Sequence, residues 1–323
     1  MIRGFTFERA LSWPFSAPHV VSFPWIFGAA YAAVSMLALG LIALAASGDV
    51  IAWVEAVEGI DSQQRQDLSP AEVLGQFARL VPWIALSAFA FWIIWAMFET
   101  ASQRRYIWGK PFSLGFGRDE LNMMVVGLLW ILLGLAVMAI PVLLTLGGVW
   151  AAISAAAEGL TDEEAGQRIV APLFGAMGLI LLLFPVYAFF ATRLAPCFGL
   201  TVKDGRIRFF DAWNVSRGRF WAILGAYVIL AFAGAILGQV ISGISQVIIF
   251  PSFISLSNAA ENGQDVMAQI WSPAFLLPMA AFLFISQFLQ GLLQHIVGGP
   301  AAFAARHDPR GGVEDEAKVD AFS

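Results

Sequence analysis

Residues 122–146 read NMMVVGLLWILLGLAVMAIPVLLTL, a run without a single acid or base. At 1.5 Å per residue such a run crosses the hydrocarbon core of a bilayer, which is about 30 Å thick and calls for about 20 apolar residues. A single segment in hydrocarbon satisfies its own backbone N–H and C=O groups only as a helix. Working outward from this run, five further stretches pass the same test, at 23–47, 81–100, 170–192, 220–249 and 273–297. The expected fold class is therefore all-α, a polytopic membrane protein with six transmembrane helices.

Composition agrees with the pattern. Hydrophobic residues make up 59% of the 323, charged ones 13%, and the mean hydropathy is +0.76, beyond the roughly 45–50% apolar share of soluble domains. A soluble fold has no interior large enough to hide that surface. The single cysteine, Cys197, excludes an internal disulfide and leaves a cysteine-based metal site without partners. It reads as a small buried hydrophobe.

The net charge of −5 matters less than where the charges lie. All lysines and arginines except Arg65, Arg79 and Arg168 fall in the N-terminus, the second and fourth connections and the tail. By the positive-inside rule that side is cytoplasmic, and an even number of spans places both termini there. The opposite connections are acidic, with Asp49, Glu55, Glu58, Asp61, Asp67 and Glu72 in one and Asp162, Glu163 and Glu164 in the other. Ser69-Pro70-Ala71-Glu72 and Thr161-Asp162-Glu163-Glu164 both carry capping-box spacing, the signature of a helix start. Ala43-Leu44-Ala45 has the small-x-small spacing of a signal-peptide cleavage site, but the apolar run before it exceeds the 7–15 residues of a signal core.

An internal repeat is legible at the odd-numbered spans. SFPWIFGAAY at 22–31 aligns with GRFWAILGAY at 218–227, matching Trp25 with Trp221, Gly28 with Gly225 and Tyr31 with Tyr227, and Gly127 falls at the corresponding place in a weaker middle copy. The segments before these spans, FTFERALSWPF at 5–15, FSLGFGRDEL at 112–121 and IRFFDAWNVSRGRFW at 207–221, mix apolar residues with an acid and an arginine. That composition suits a helix lying in the headgroup plane, where Trp13, Trp213 and Trp221 are at home. The expectation is three repeated helical hairpins, each preceded by a cytoplasmic interfacial helix. A single membrane domain covers 1–305, with repeats at 1–108, 109–205 and 206–305, and a disordered cytoplasmic tail follows at 306–323, where Glu314, Asp315 and Glu316 cluster.

The stretch TRLAPCFGLTVKDGRIRFFDAWNVSRGRFW at 192–221 resembles a pattern in six-helix bacterial membrane proteins, among them the YciC-like family and the membrane domain fused to some glycerophosphodiester phosphodiesterases. The likeness lies in Arg193 ahead of Pro196, the Asp204-Gly205 turn, an amphipathic segment and the Arg217-to-Trp221 entry into the next span. It implies a bacterial inner-membrane location and a six-helix fold. The phosphodiesterase domain of some relatives is a separate soluble unit, so the resemblance carries no enzymatic activity across.

Chemistry is sparse. No Walker A loop, His-Glu-x-x-His pair or nucleophile elbow occurs, and His19, His295 and His307 lie too far apart for a local metal motif, so no metal, cofactor or catalytic residue is expected. An ionisable residue inside the membrane is by default a functional candidate; none falls within the interior of a span. Glu99, at the edge of the second, comes nearest and is expected to pair with Arg104 or Arg105.

The polar residues of the last two spans form rows. Gln239, Ser242 and Gln246 recur at steps of three and four, as do Gln287, Gln290 and Gln294, with His295 at the end of the second row. Such spacing puts side chains on one helix face. Gly234, Gly238 and Ser242 form a small-xxx-small series that lets a neighbouring helix approach. The rows are expected either to pair across a dry helix contact or to line a wet groove. On the cytoplasmic side Lys203, Arg206, Arg208, Arg217 and Arg219, interleaved with Phe209, Phe210, Trp213 and Phe220, are candidate contacts for anionic lipid headgroups, at about 1 kcal/mol each, or serve only to fix orientation. A nucleic-acid partner is not expected, because the aromatics have a membrane to meet. Two readings of function remain open: a non-enzymatic scaffold or accessory protein interacting with membrane lipids or other membrane proteins, and a transporter or lipid-handling permease with a polar site between helices five and six.

Overall fold

A computed structural model of the chain describes residues 5–16, 22–58, 75, 77–158, 162–262, 264, 266–311 and 313. Among these residues the only regular secondary structure is helical: α1 (Phe7–Ser16), α2 (Phe23–Glu58), α3 (Val81–Trp108), α4 (Arg118–Ala157), α5 (Asp162–Leu194), α6 (Cys197–Asp204), α7 (Ala212–Ser216), α8 (Phe220–Glu261), α9 (Val266–Ile270) and α10 (Pro273–Arg306). The helices α2, α3, α4, α5, α8 and α10 are each long and apolar enough to cross a membrane, six as the hydropathy runs predict. The Ser69–Glu72 capping box and Thr161 of the other lie outside the described residues; α5 begins at Asp162.

The chain packs as two compact units. The first comprises residues 1–37, 94–124 and 193–323. Small residues here let helices come close. A methyl group built on Gly291 would sit 2.7 Å from Tyr31 Cβ and 3.2 Å from Gly28 Cα, so α2 and α10 meet almost backbone to backbone. Gly199 likewise brings α6 against Ala302 and Ala305 of α10, and Gly299 of α10 accommodates Pro14 of α1. Ala10, Ala226 and Phe303 form a fully buried cluster with Phe5, Leu11 and Trp13 around it.

Arginines close the C-terminal ends of the helices in this unit, where the last carbonyls have no intrahelical donor. Arg306 donates to the carbonyls of Tyr106 and Ile107 at the end of α3. Arg219 donates to the carbonyl of His307, at 2.6 Å, beyond the end of α10. Arg104 joins Glu120 at 2.7 Å and Asp119 at 2.9 Å, in the first turn of α4.

The second unit comprises residues 38–93 and 125–192. Gly148 of α4 rests on Leu173 and Pro172 of α5, with Gly134 beside Tyr187 further along the pair. Trp83 donates its indole N–H to Asp49 at 2.8 Å. Pro141, Pro172 and Pro185 sit inside these two helices, as apolar spans tolerate.

The repeat expectation meets an irregular result. Only the first of the three interfacial segments forms a multi-turn helix, α1, and it packs against α8 and α10. Residues 111–116 are non-helical, and the third segment holds only the five residues of α7. Pro111 and the glycines Gly115 and Gly117 account for the missing helix, since proline lacks a donor and glycine is entropically costly in a helix. The aligned tryptophans Trp25 and Trp221 are both exposed, and the aligned glycines Gly28 and Gly225 each sit under a phenylalanine ring, Phe288 and Phe7 respectively. The expected disordered tail also begins too early: Asp308 is buried, and the chain is folded through Gly311.

Candidate functional site

On α8, Gly238, Ser242, Gln246, Ile249 and Phe253 recur at steps of three and four and share a face. With Ile241, Phe250 and, from α10, Phe282 and Ser286, they line an open groove of about 440 Å³. The walls are chiefly apolar, with Ser242, Gln246 and Ser286 as the polar points. Glycine makes the groove: a Cβ at Gly238 would have no atom within 4 Å, and one at Gly234 would only reach ordinary contact with Leu293.

This corrects the expected packing. The small-xxx-small series does not seat a neighbouring helix at Gly238 but leaves a hollow there. Among the described residues no hydrogen bond joins the two amide rows, and Gln239, Ser242, Gln246 and Gln290 are exposed while Gln287 is half-buried. Of the expected site residues, Ser242 and Gln246 reach the groove, whereas Gln239, Gln287 and Gln290 do not line it.

Gln294 and His295 belong elsewhere, to a buried polar cluster of α3 and α10 that the sequence reading missed. Glu99 is only 5% exposed. Its Oε1 accepts from Gln103 Nε2 at 2.8 Å and its Oε2 from Gln294 Nε2 at 3.2 Å, the latter amide also donating to the carbonyl of Trp95. Next to it His295, 2% exposed, shares a 2.7 Å hydrogen bond between Nδ1 and Ser102 Oγ, accepts at its carbonyl from Tyr106 and stacks on the Tyr106 ring. Phe23 and Phe27 cover the imidazole from α2.

The expected pairing of Glu99 with Arg104 or Arg105 does not occur. Arg104 is held by Asp119 and Glu120, and Arg105 donates to the carbonyls of Gly109 and Lys110. Helix geometry explains this. At 3.6 residues per turn, a residue five positions on lies roughly 140° around the helix, whereas the residue four on lies nearly above. Gln103, at i+4 from Glu99, takes the place assigned to the arginines.

Three of the five candidate lipid-binding cations are likewise engaged within the protein. Lys203 pairs with Asp308 at 3.2 Å and donates to the carbonyl of Gly311; Arg208 pairs with Asp204 and Asp211; Arg219 caps α10. Arg206 and Arg217 remain exposed. With Asp204, Arg310 and Gly311, residues Lys203, Arg206, Arg208 and Asp308 surround a polar concavity of about 620 Å³. Arg310 and Arg208 hydrogen-bond Asp211 and hold its carboxyl below the usual range. Burial works to raise that of Asp308, but bonds from Arg310 and Lys203 outweigh it and leave it lowered.

Among the described residues no group of histidine, cysteine and acidic side chains is placed to hold a metal ion. Cys197 is buried. No family model, curated protein or solved structure matches the chain.

Proposed function

We propose that this chain is a multi-pass protein of the bacterial inner membrane, with both termini in the cytoplasm, that acts without catalysis as an envelope scaffold or accessory protein by holding membrane lipid in the groove between α8 and α10. The observation that carries this reading is the hollow at Gly238. Of the side chains that line it, Phe250 and Phe253 are large, apolar and at least half exposed, so the medium that fits them is the acyl interior of a bilayer. Ser242, Gln246 and Ser286 offer hydrogen bonds that suit the ester region of a lipid.

The orientation is testable on its own. Reporter fusions after Arg105, Arg208 and Arg306 are expected to report cytoplasm, and fusions near Gln64, Glu163 and Asn262 the opposite side; one reversed pair would contradict the six-span assignment.

For the groove, the full chain is labelled in membranes with a diazirine-bearing phospholipid and the adducts are mapped by mass spectrometry. Labelling concentrated on 238–253 and 282–286, and lost severalfold in Gly238→Leu, is the expected outcome. Uniform labelling of all outward faces, unchanged in that variant, would refute a specific lipid site. A second reading, a lipid-handling permease, draws on the polar side chains that share the groove. Protein-dependent movement of a fluorescent phospholipid across reconstituted vesicles, abolished in Gly238→Leu, would favour it over the scaffold.

A further inference from the structure

Glu99 is a carboxylate inside a membrane helix, buried, and solvated only by neutral amides. Among the described residues no cation lies within salt-bridge distance of it. The titratable and charged groups around it are Arg105 and Tyr106 on α3, Cys197 on α6, Tyr227 on α8, His295 on α10 and Tyr31 on α2. Arg105 donates from Nη1 to the carbonyls of Gly109 and Lys110 at the end of α3 and lies over the Phe23 ring, and His295 is bonded to Ser102. A buried carboxylate left as an unpaired anion costs several kcal/mol even after relaxation. Two amide donors do not offset that cost in hydrocarbon.

A second feature points the same way. The side-chain oxygens of Gln103 and Gln294 are buried and have no hydrogen-bond partner. Both residues turn their nitrogens to Glu99 and leave their acceptors idle. Gln103 is fully buried, and its Oε1 lies toward Gly199, 3.3 Å from where a Cβ would be. On the other side Gly298 leaves room for the amide: a methyl group there would fall 3.1 Å from Gln103 Nε2 and 3.6 Å from Glu99 Oε1. The cluster therefore has an acid, two amides able to exchange donor for acceptor by turning over, and a glycine that spares the space beside them.

We propose that Glu99, with Gln103 and Gln294, is a proton-binding site within the membrane span. In the loaded state a hydronium ion gives its proton to one carboxylate oxygen: one hydronium O–H bond breaks as the carboxyl O–H forms, neutral water leaves, and the charge of the side chain falls from −1 to zero. The new O–H needs an acceptor, and Gln103, turned over, offers the Oε1 that otherwise has none. In the unloaded state the carboxylate accepts from both amides. This inference is independent of the lipid groove, which shares none of these residues.

The test uses the full-length protein in native membranes, treated with dicyclohexylcarbodiimide, which modifies protonated carboxyl groups in apolar surroundings, and the adduct is mapped by mass spectrometry across a pH series. Labelling at Glu99 is expected, falling about tenfold per pH unit above its titration midpoint, and unaffected by sodium chloride. Sodium-dependent protection at constant pH would overturn the proton assignment in favour of a metal cation. Infrared difference spectra supply a readout free of reagent access: the carbonyl band of a protonated acid is expected in the wild type and absent in Glu99→Gln, which keeps the size and one acceptor. No labelling at any pH together with no such band overturns the proposal. Gln103→Leu removes the acceptor and is expected to move the pH dependence of labelling, whereas a passive packing role for Gln103 would leave it where it was.

Discussion

Arg104→Met is expected to destabilise the protein by about 3–5 kcal/mol, the cost of stranding a buried carboxylate whose partner has been removed. The carboxylate is Glu120, 2% exposed, which accepts from Arg104 at one oxygen and from the backbone N–H of Gly117 at the other. The first turn of α4 favours a negative charge through its unpaired amides, but those amides do not replace a guanidinium. Unfolding in detergent measured by circular dichroism checks the loss. The companion variant Arg104→Met/Glu120→Gln is expected to recover most of it, since the charge that suffers is then gone. If the double variant is no more stable than Arg104→Met, the stranded charge is not the cause.

Gly291→Leu is the second substitution with a large expected effect. The α2–α10 approach leaves no room for even a methyl group, and overfilling a tight contact costs about 1–3 kcal/mol or more when backbone must move. Here the nearest atoms include Gly28 Cα and Tyr31 Cβ, which cannot swing aside. Gly238→Leu provides the contrast. It enters open space, and replacing a glycine inside a helix by leucine gains up to about 1 kcal/mol of helix propensity. The thermal transition in detergent is therefore expected to drop for Gly291→Leu and to hold or rise for Gly238→Leu. Equal drops would mean that the groove is closed in solution.

The contrast between these two glycines shows where reading the sequence stops. The six spans were legible because an apolar run of sufficient length has one answer in a bilayer. Which small residues touch depends on how helices distant in sequence are brought together. The Gly234, Gly238, Ser242 series has the right spacing for a tight contact, yet Gly28 and Gly291, which carry no such series between them, make one. Gln294 and His295 looked like the end of the Gln287, Gln290 row. They are in fact separated from it by their contacts with Glu99, Trp95 and Ser102 on α3.

The buried acid was partly readable. Glu99 and Gln103 stand four apart on one helix, and the flanking arginines are out of angular reach, so the helical period alone directed Glu99 to the amide. That the amide of Gln294 arrives from α10 was not readable, because nothing local marks a contact between residues nearly two hundred positions apart. The basic cluster misled for the opposite reason. Lys203 and Arg219 looked available because their partners, Asp308 and the carbonyl of His307, come from a stretch whose composition reads as a solvated tail, whereas the partners of Arg208, Asp204 and Asp211, stand three and four residues from it.

The length of α4 has a consequence for the membrane itself. The helix has 40 residues, about 60 Å at 1.5 Å per residue, twice the roughly 30 Å of hydrocarbon it must cross. From Leu121 to Ala157 it carries no charge at all, so the excess is not a water-loving extension that simply emerges. An uncharged rod longer than its host layer tilts, draws the surrounding lipid into a thicker collar, or does both, at a cost that grows with each ångström of mismatch. A chain that carries such a helix is expected to respond to bilayer thickness, with membranes of different acyl-chain length presenting it with different mechanical loads.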